Sequence, residues 1–344
     1  MERVRLGNTD LEVSRICLGT MHYGEPERGE HSWTIGEELS RPIIRRALDQ
    51  GINFFDTANS YTDGNSEEIL GRALKDYAKR DEVVIATKVF YETANEEQGL
   101  SRDKITKAIN NSLRRLGTDY VDLYQLHRWD YGTPFEETLE TLDGLVRAGK
   151  VRYLGASSMF AWQFCKTLYL ADGRGWTKFA TMQDHYNLLY REPERDMLPL
   201  CRAENVGVLV WSPLARGYLA RPWQSHSPRA DADEYARTLY AKERYDESNR
   251  QVVTACAKVA ANRGLSQARV ALAWLLQNPN IDVPIIGAGK VERVDDAVAA
   301  LDAHLTLEEI EALEEPYVAH APVGDWIPGA TFGPPAPETT ALAL

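Results

Sequence analysis

The chain has 344 residues, 39 of them Lys or Arg and 51 Asp or Glu, which leaves a formal net charge of −12 at pH 7. A content of 44% hydrophobic and 26% charged residues is that of a globular protein, not of a disordered or collagen-like one. The acidity argues against a generic nucleic-acid binder, which needs a basic face. No apolar run approaches the ~18 residues of a membrane span, and MERVRLGNTD lacks the apolar stretch of a signal peptide. The expectation is a cytoplasmic protein without membrane association. One domain of this length can bury a large core. The cysteines at 17, 165, 201 and 256 show no CxxC spacing, so they are expected to be free thiols with no metal or disulfide role.

The first element is a hairpin, with Val4-Arg5-Leu6 and Leu11-Glu12-Val13 flanking the turn residues Gly7 to Asp10. Short apolar runs follow at Ile16–Leu18, Phe54–Asp56, Val83–Thr87, Val121–Gln125, Val151–Ala156, Ala180–Gln183, Val208–Trp211 and Val283–Ile286. They are continuous rather than alternating, as in parallel strands buried on both faces. Helical patterns separate them. Ser101 stands at the start of a helix with an apolar face of Ile105, Ile109, Leu113 and Leu116, stopped by Gly117. Thr133, Pro134 and Glu136 read as a capping box for a second helix, whose buried stripe is Phe135, Leu139, Leu142 and Leu145.

Eight strands, each followed by a helix and with no composition break, predict one (β/α)₈ TIM barrel spanning 1–344, with its core at about 3–318. A doubly wound sheet is disfavoured because no GxGxxG follows the first strand. Two connections are unusually long, Met21–Arg41 and Leu214 to about Glu247, and both leave the carboxyl ends of strands. Residues 319–344 form a tail with prolines at 322, 328, 334, 335 and 337.

In a barrel, chemistry belongs at the carboxyl ends of strands. FFDTANSY puts Asp56 at a strand end and Tyr61 in the next loop, VVIATK ends on Lys88, and DLYQLH leads to His127. These groups suit proton donation to a carbonyl that receives hydride. A free Tyr, with a pKa of ~10, is a poor acid near neutrality. A neighbouring Lys88 ammonium is expected to favour the phenolate, with Asp56 holding Lys88 and His127 orienting the carbonyl oxygen.

RLGNTDLEVSRICLGT, DTANSY, GASS, SPLARG and IIGAGKVER together resemble the aldo-keto reductase superfamily in order and spacing. YQLHRWDYGTPFEETLETLDGLVRAGKVRYLGASSM is similar to its aryl-alcohol dehydrogenase-like branch. The resemblance implies a (β/α)₈ barrel that binds NADP(H) across its mouth, with a tetrad of Asp56, Tyr61, Lys88 and His127 and Tyr61 as general acid. It implies nicotinamide contacts from Ser157, Ser158 and Gln183, with Ser158 in place of the commoner Asn, and stacking by Trp211. Gly19, Thr20 and Met21 would line the cofactor, and Ser212, Pro213, Leu214, Gly217 and Arg221 its pyrophosphate.

A glycine-containing turn, Gly287-Ala288-Gly289, feeds a helix N-terminus, which favours phosphate. By the same resemblance Arg293 meets the 2′-phosphate and Asp296 the adenine, with Ala297 where the family usually has Asn. Tyr23, Trp33, Phe90, Trp129 and Trp326, with Tyr91 and Trp223 nearby, are candidates for an apolar pocket taking an aromatic aldehyde. The expected partner is a small carbonyl or alcohol substrate. The alternative is an NADPH-binding regulatory subunit of the channel β-subunit type with little turnover.

Overall fold

The computed structural model describes residues 1–29, 31–223, 225, 232–240 and 243–321. Its first element is the antiparallel hairpin β1 (Arg3–Arg5) and β2 (Glu12–Ser14), with Val4 opposite Val13. Gly7 in its turn has φ +49°, and a Cβ there would lie 2.4 Å from the Gly207 nitrogen. Only glycine allows that close approach in that conformation.

Eight parallel strands then close a barrel: β3 (Cys17–Gly19), β4 (Phe54–Asp56), β5 (Val84–Val89), β6 (Val121–Leu126), β7 (Val151–Ser157), β8 (Phe179–His185), β9 (Gly207–Trp211) and β10 (Val283–Gly287). β10 closes the ring on β3, with Ile285 beside Cys17. All eight expected strands form, with ends displaced by at most two residues.

Neighbouring residues on each strand enter different cores, because successive side chains point to opposite faces. Cys17, Phe54, Val84, Leu123, Leu209 and Ile285 form the inner cluster, which Leu6, Leu11 and Val13 of the hairpin join. Leu18, Phe55, Ile85, Tyr124, Val210 and Ile286, one position on, pack in the outer cluster with the helices. Burial on both faces is the physical reason the runs do not alternate in polarity. Truncating Phe54 to Ala should cost about 3–5 kcal/mol.

The flanking helices that bear on the site are α1 (Glu37–Asp49), α2 (Asn65–Tyr77), α3 (Arg102–Leu116) and α4 (Phe135–Arg147). α3 begins after Ser101 and stops at Gly117, whose φ of +66° is the left-handed helix stop. α4 departs from expectation. Pro134 is its N-cap residue, and Thr133 does not cap it. The Thr133 hydroxyl donates instead to Asp130 Oδ2 at 2.6 Å, and Asp130 also accepts from the Gly132 and Leu100 amides. Bonds to an ionised carboxylate outcompete a neutral cap.

Candidate active site

Two residues beyond the inner apolar layer, the same inward-facing register turns polar. Asp56 follows Phe54, Lys88 follows Ala86, Gln125 follows Leu123 and Trp211 follows Leu209. Lys88 is fully buried. Its Nζ donates to an Asp56 carboxylate oxygen, to Thr57 O at 2.8 Å and to the Tyr61 hydroxyl at 3.1 Å. Asp56 Oδ2 accepts from Gln125 Nε2 at 2.9 Å and Gln183 Nε2 at 3.0 Å. Gly155 makes room for this layer, since a Cβ there would fall 2.5 Å from Thr181 Oγ1 and 2.8 Å from Gln125 Cγ.

The electrostatics follow from burial and pairing. Burial pulls Lys88 down, but the Asp56 charge and the hydrogen bonds more than offset this, so its pKa is raised and it stays an ammonium. Burial raises the Tyr61 phenol, and Lys88 lowers it by less, so the net direction is upward. Lys88 does favour the phenolate, as expected, but in this pocket desolvation of the anion outweighs the ammonium. His127 is held well below its ordinary value by burial, then by Lys88 and Arg128, so its imidazole is neutral. Its Nδ1 is buried without a hydrogen-bond partner, and its ring meets that of Tyr61 edge-on at 5.7 Å. The loop after Tyr61 runs through Thr62 (φ +49°), Asp63 (φ +51°) and Gly64 (φ +80°), a conformation costing about 1–3 kcal/mol for each non-glycine residue.

The opposite half of the mouth is aromatic. Ser158 (φ +49°) accepts a hydrogen bond from Trp211 Nε1 at 3.0 Å, and its Oγ lies 3.2 Å from that of Ser157. One face of Trp211 stacks on His185 at 4.2 Å, and His185 stacks in turn on Tyr190 at 4.4 Å. His185 Nε2 pairs with the Tyr240 hydroxyl, while Asn187 Nδ2 donates to Ser212 O at 2.9 Å. Sequence reading missed His185, Asn187, Tyr240 and Gln125. Extending β8 by the period of two from Gln183 would have found His185, and the same step back from His127 reaches Gln125.

The SPLARG segment turns sharply, with positive φ at Ser212, Ala215, Arg216 and Gly217. Arg216 Nε pairs with Asp233 Oδ2 at 2.8 Å, both side chains buried. Pro213 is buried and Leu214 half-buried in the same turn. The Arg221 guanidinium lies 3.2 Å from the position of a Cβ on Gly217. Gly19 and Thr20 are buried at the end of β3, with Thr20 Oγ1 bonded to Ser66 Oγ, and Met21 is half-buried. Gly287 and Gly289 are exposed and Ala288 buried, and the helix Val291–Val298 starts just after them. Arg293 is exposed in its first turn. Asp296 is already engaged, accepting from Arg269 at 2.8 Å and Ser266 at 2.7 Å.

The aromatic candidates separate. Phe90 meets Tyr91 edge-on, and Tyr91 meets His127 edge-on at 4.9 Å, so Tyr91 stands against a proton-handling group with Phe90 behind it. Trp129 does not: it is 5% exposed and packs on Phe135 at 4.2 Å. Tyr23 is wholly buried in the outer core. Both rings belong to the outer apolar core, so packing claims them. Trp33 lies between His22 and His31 and near Arg216, Trp223 packs on Tyr218, and Trp326 lies outside the described residues, with most of the tail.

Barrel and mouth together define an enzyme that works at the carboxyl ends of parallel strands. Comparison with known proteins agrees. Residues 15–317 match the model of the aldo/keto reductase family. The chain is 42% identical to versiconal hemiacetal acetate reductase of Aspergillus parasiticus over 341 residues, covering 93% of this chain and 98% of that protein. It is 40% identical to aldo-keto reductase AMT2 of Alternaria alternata, covering 93% and 92%. A Saccharomyces cerevisiae protein provisionally named aryl-alcohol dehydrogenase AAD16 is 39% identical, covering 92% and 97%. The chain belongs to the aldo/keto reductase family, whose members are oxidoreductases.

Proposed function

We propose that this protein is an NADP(H)-dependent reductase converting aldehydes and ketones, aromatic aldehydes foremost, to alcohols. A single barrel domain acting in the cytoplasm carries the activity. The observation behind the reading is the buried Asp56–Lys88–Tyr61 hydrogen-bond chain beside a neutral His127. The relatives named as a reductase and as a provisional aryl-alcohol dehydrogenase support the substrate class.

The residues present fit a nicotinamide dinucleotide. Trp211 is backed on one face by His185 and fixed at its indole nitrogen by Ser158, which suits stacking by its other face. Ser157, Ser158 and the Gln183 carbonyl oxygen would hold the carboxamide, since the Gln183 nitrogen already serves Asp56 and Gln125. Gly19, Thr20, Met21 and the Ser212–Gly217 turn with Arg221 would line the diphosphate. Gly287 to Gly289 would admit the adenosine, with Arg293 on its 2′-phosphate. Asp296, already paired with Arg269, would reach adenine only by sharing that partner. When bound, the cofactor supplies hydride to the carbonyl carbon.

The chain's own groups handle the proton. Tyr61, kept protonated by its raised pKa, donates to the carbonyl oxygen. Lys88 at 3.1 Å stabilises the phenolate left behind, and Asp56 keeps Lys88 charged and in place. Neutral His127 orients the oxygen by a hydrogen bond. Phe90 and Tyr91 would face the substrate ring.

The test is a panel of aliphatic and aromatic carbonyls, assayed with NADPH and NADH side by side. Turnover with NADPH, strongest on benzaldehydes, is expected. Tight NADPH binding with no turnover on any carbonyl would instead favour a regulatory subunit.

A further inference from the structure

The proton-handling groups are held from behind by a buried charged network that takes no part in the proton transfer. It starts at Thr87, next to Lys88, whose hydroxyl donates to Glu67 Oε1 at 2.5 Å. The other oxygen of Glu67 accepts from Arg115 Nε at 2.6 Å. Arg115 Nη1 reaches Glu96 Oε1 at 2.9 Å, an oxygen that also accepts from Asn111 Nδ2 at 3.0 Å. Glu96 Oε2 is thereby left for Asn59, whose Nδ2 donates to it at 2.7 Å and also reaches Tyr91 O at 3.3 Å. Glu67, Glu96 and Asn59 are all buried.

Asn59 stands two residues before Tyr61, and its own amide donates to Lys88 O at 3.2 Å. Beyond Tyr61 the chain passes through three left-handed residues, two of them not glycine. Such a conformation persists only where its surroundings over-determine it. Besides the bonds of Thr62 to Tyr23 O and of Arg28 to Asp63 O, two ties come from the loop after β5: the Asn59–Glu96 bond and the Ala94 amide on Asp63 Oδ1 at 2.8 Å. The same Asn59 amide holds the carbonyl of Tyr91, whose ring lies against His127. One side chain thus joins the loop of the acid to the wall over the imidazole. Its link to Glu96 is charge-assisted and sheltered from water, which makes it stiff.

We propose that Glu96 and Asn59 are positioning residues for carbonyl reduction. They fix the Tyr61 hydroxyl against Lys88 and set Tyr91 on His127, without touching substrate or cofactor. The proposal rests on the reading of Tyr61 as proton donor.

The test compares Asn59→Ala, Glu96→Gln and Tyr61→Phe in the full chain. Asn59→Ala cuts the link and leaves the Arg115–Glu96 ion pair in place, and a thermal melt checks that the variant is folded. Its kcat for benzaldehyde reduction should fall about 10²-fold, as expected for a misplacement of order 1 Å. NADPH affinity, read by quenching of tryptophan fluorescence, should stay within about two-fold. The rising limb of alcohol oxidation should move to higher pH, because Tyr61 loses part of the help of Lys88. Glu96→Gln, which keeps the shape and one accepting oxygen, should lie between Asn59→Ala and wild type in both kcat and pH limb. Wild-type kcat per folded molecule and an unmoved limb in Asn59→Ala, beside an inactive Tyr61→Phe, would overturn the positioning role. An active Tyr61→Phe would overturn the acid assignment instead.

Discussion

The two halves of the barrel mouth are built from opposite materials. The β4–β6 side carries ionisable groups, Asp56, Lys88, Tyr61 and His127, packed so that Asp56 holds Lys88 up while Lys88 pulls both Tyr61 and His127 down. The β7–β10 side presents hydroxyls, an amide, glycines and a stacked column of Tyr190, His185 and Trp211, its charges being the closed Arg216–Asp233 pair and cations at the rim. A surface that must bind a flat ring in one orientation needs shape and neutral hydrogen bonds. A surface that moves a proton needs perturbed pKa values, hence burial and charge. Separating them lets the first half stay rigid whichever proton state the second is in.

If that division is real, substitutions on the two sides should fail differently. The largest effect is expected from Tyr61→Phe, which removes one hydroxyl from the ionisable half. Steady-state turnover should fall by ~10²–10⁴ while NADPH titrations stay close to wild type. Loss of cofactor affinity in that variant would break the division.

Arg293→Ala addresses the other half. A charge-assisted bond to a 2′-phosphate is worth ~1.5–3 kcal/mol, so NADPH affinity should drop roughly 10- to 150-fold. NADH affinity should barely change. Equal losses for both would show that Arg293 supports the helix rather than the phosphate.

The direction of the Tyr61 shift gives the next test. Alcohol oxidation needs the phenolate, whose population grows about tenfold per pH unit below a raised pKa. Oxidation should therefore climb with pH through and beyond the ordinary tyrosine range, while reduction stays flat near neutrality. An oxidation plateau near neutral pH would mean that Lys88, not burial, dominates.

The smallest effect concerns stability on the aromatic side. Asp184 is buried on β8, and burial, with Asp196 nearby, lifts its carboxyl to about 8. A raised folded pKa favours the protonated form. Its contribution is complete below the unfolded value and is lost as pH rises toward 8. Asp184→Asn should thus leave Tm unchanged near pH 4 and raise it by several degrees near pH 9. A uniform change at both pH values would refute the buried-neutral assignment.

Most of the barrel was legible because its cause is local. Continuous runs such as Val208–Trp211 can be satisfied only by strands covered on both faces, and Gly117 announces a helix end wherever the chain goes next. Asp56, Lys88 and His127 were legible for the same reason, since period two carries each from the inner apolar layer to the mouth, while Tyr61 follows Asp56 in the next loop. What local pattern left open was every outcome that depends on a distant partner. Trp129 looked like a pocket ring until Phe135 claimed it, and Thr133 looked like a cap until Asp130 offered a charged acceptor. Lys88 looked able to ionise Tyr61, but only the three-dimensional enclosure shows that losing water costs the phenolate more than the ammonium returns. The amino-acid sequence determined which groups reach the mouth; the packing around them decided their protonation, their rigidity and their neighbours, because dielectric and contact belong to the assembled fold and not to any segment of it.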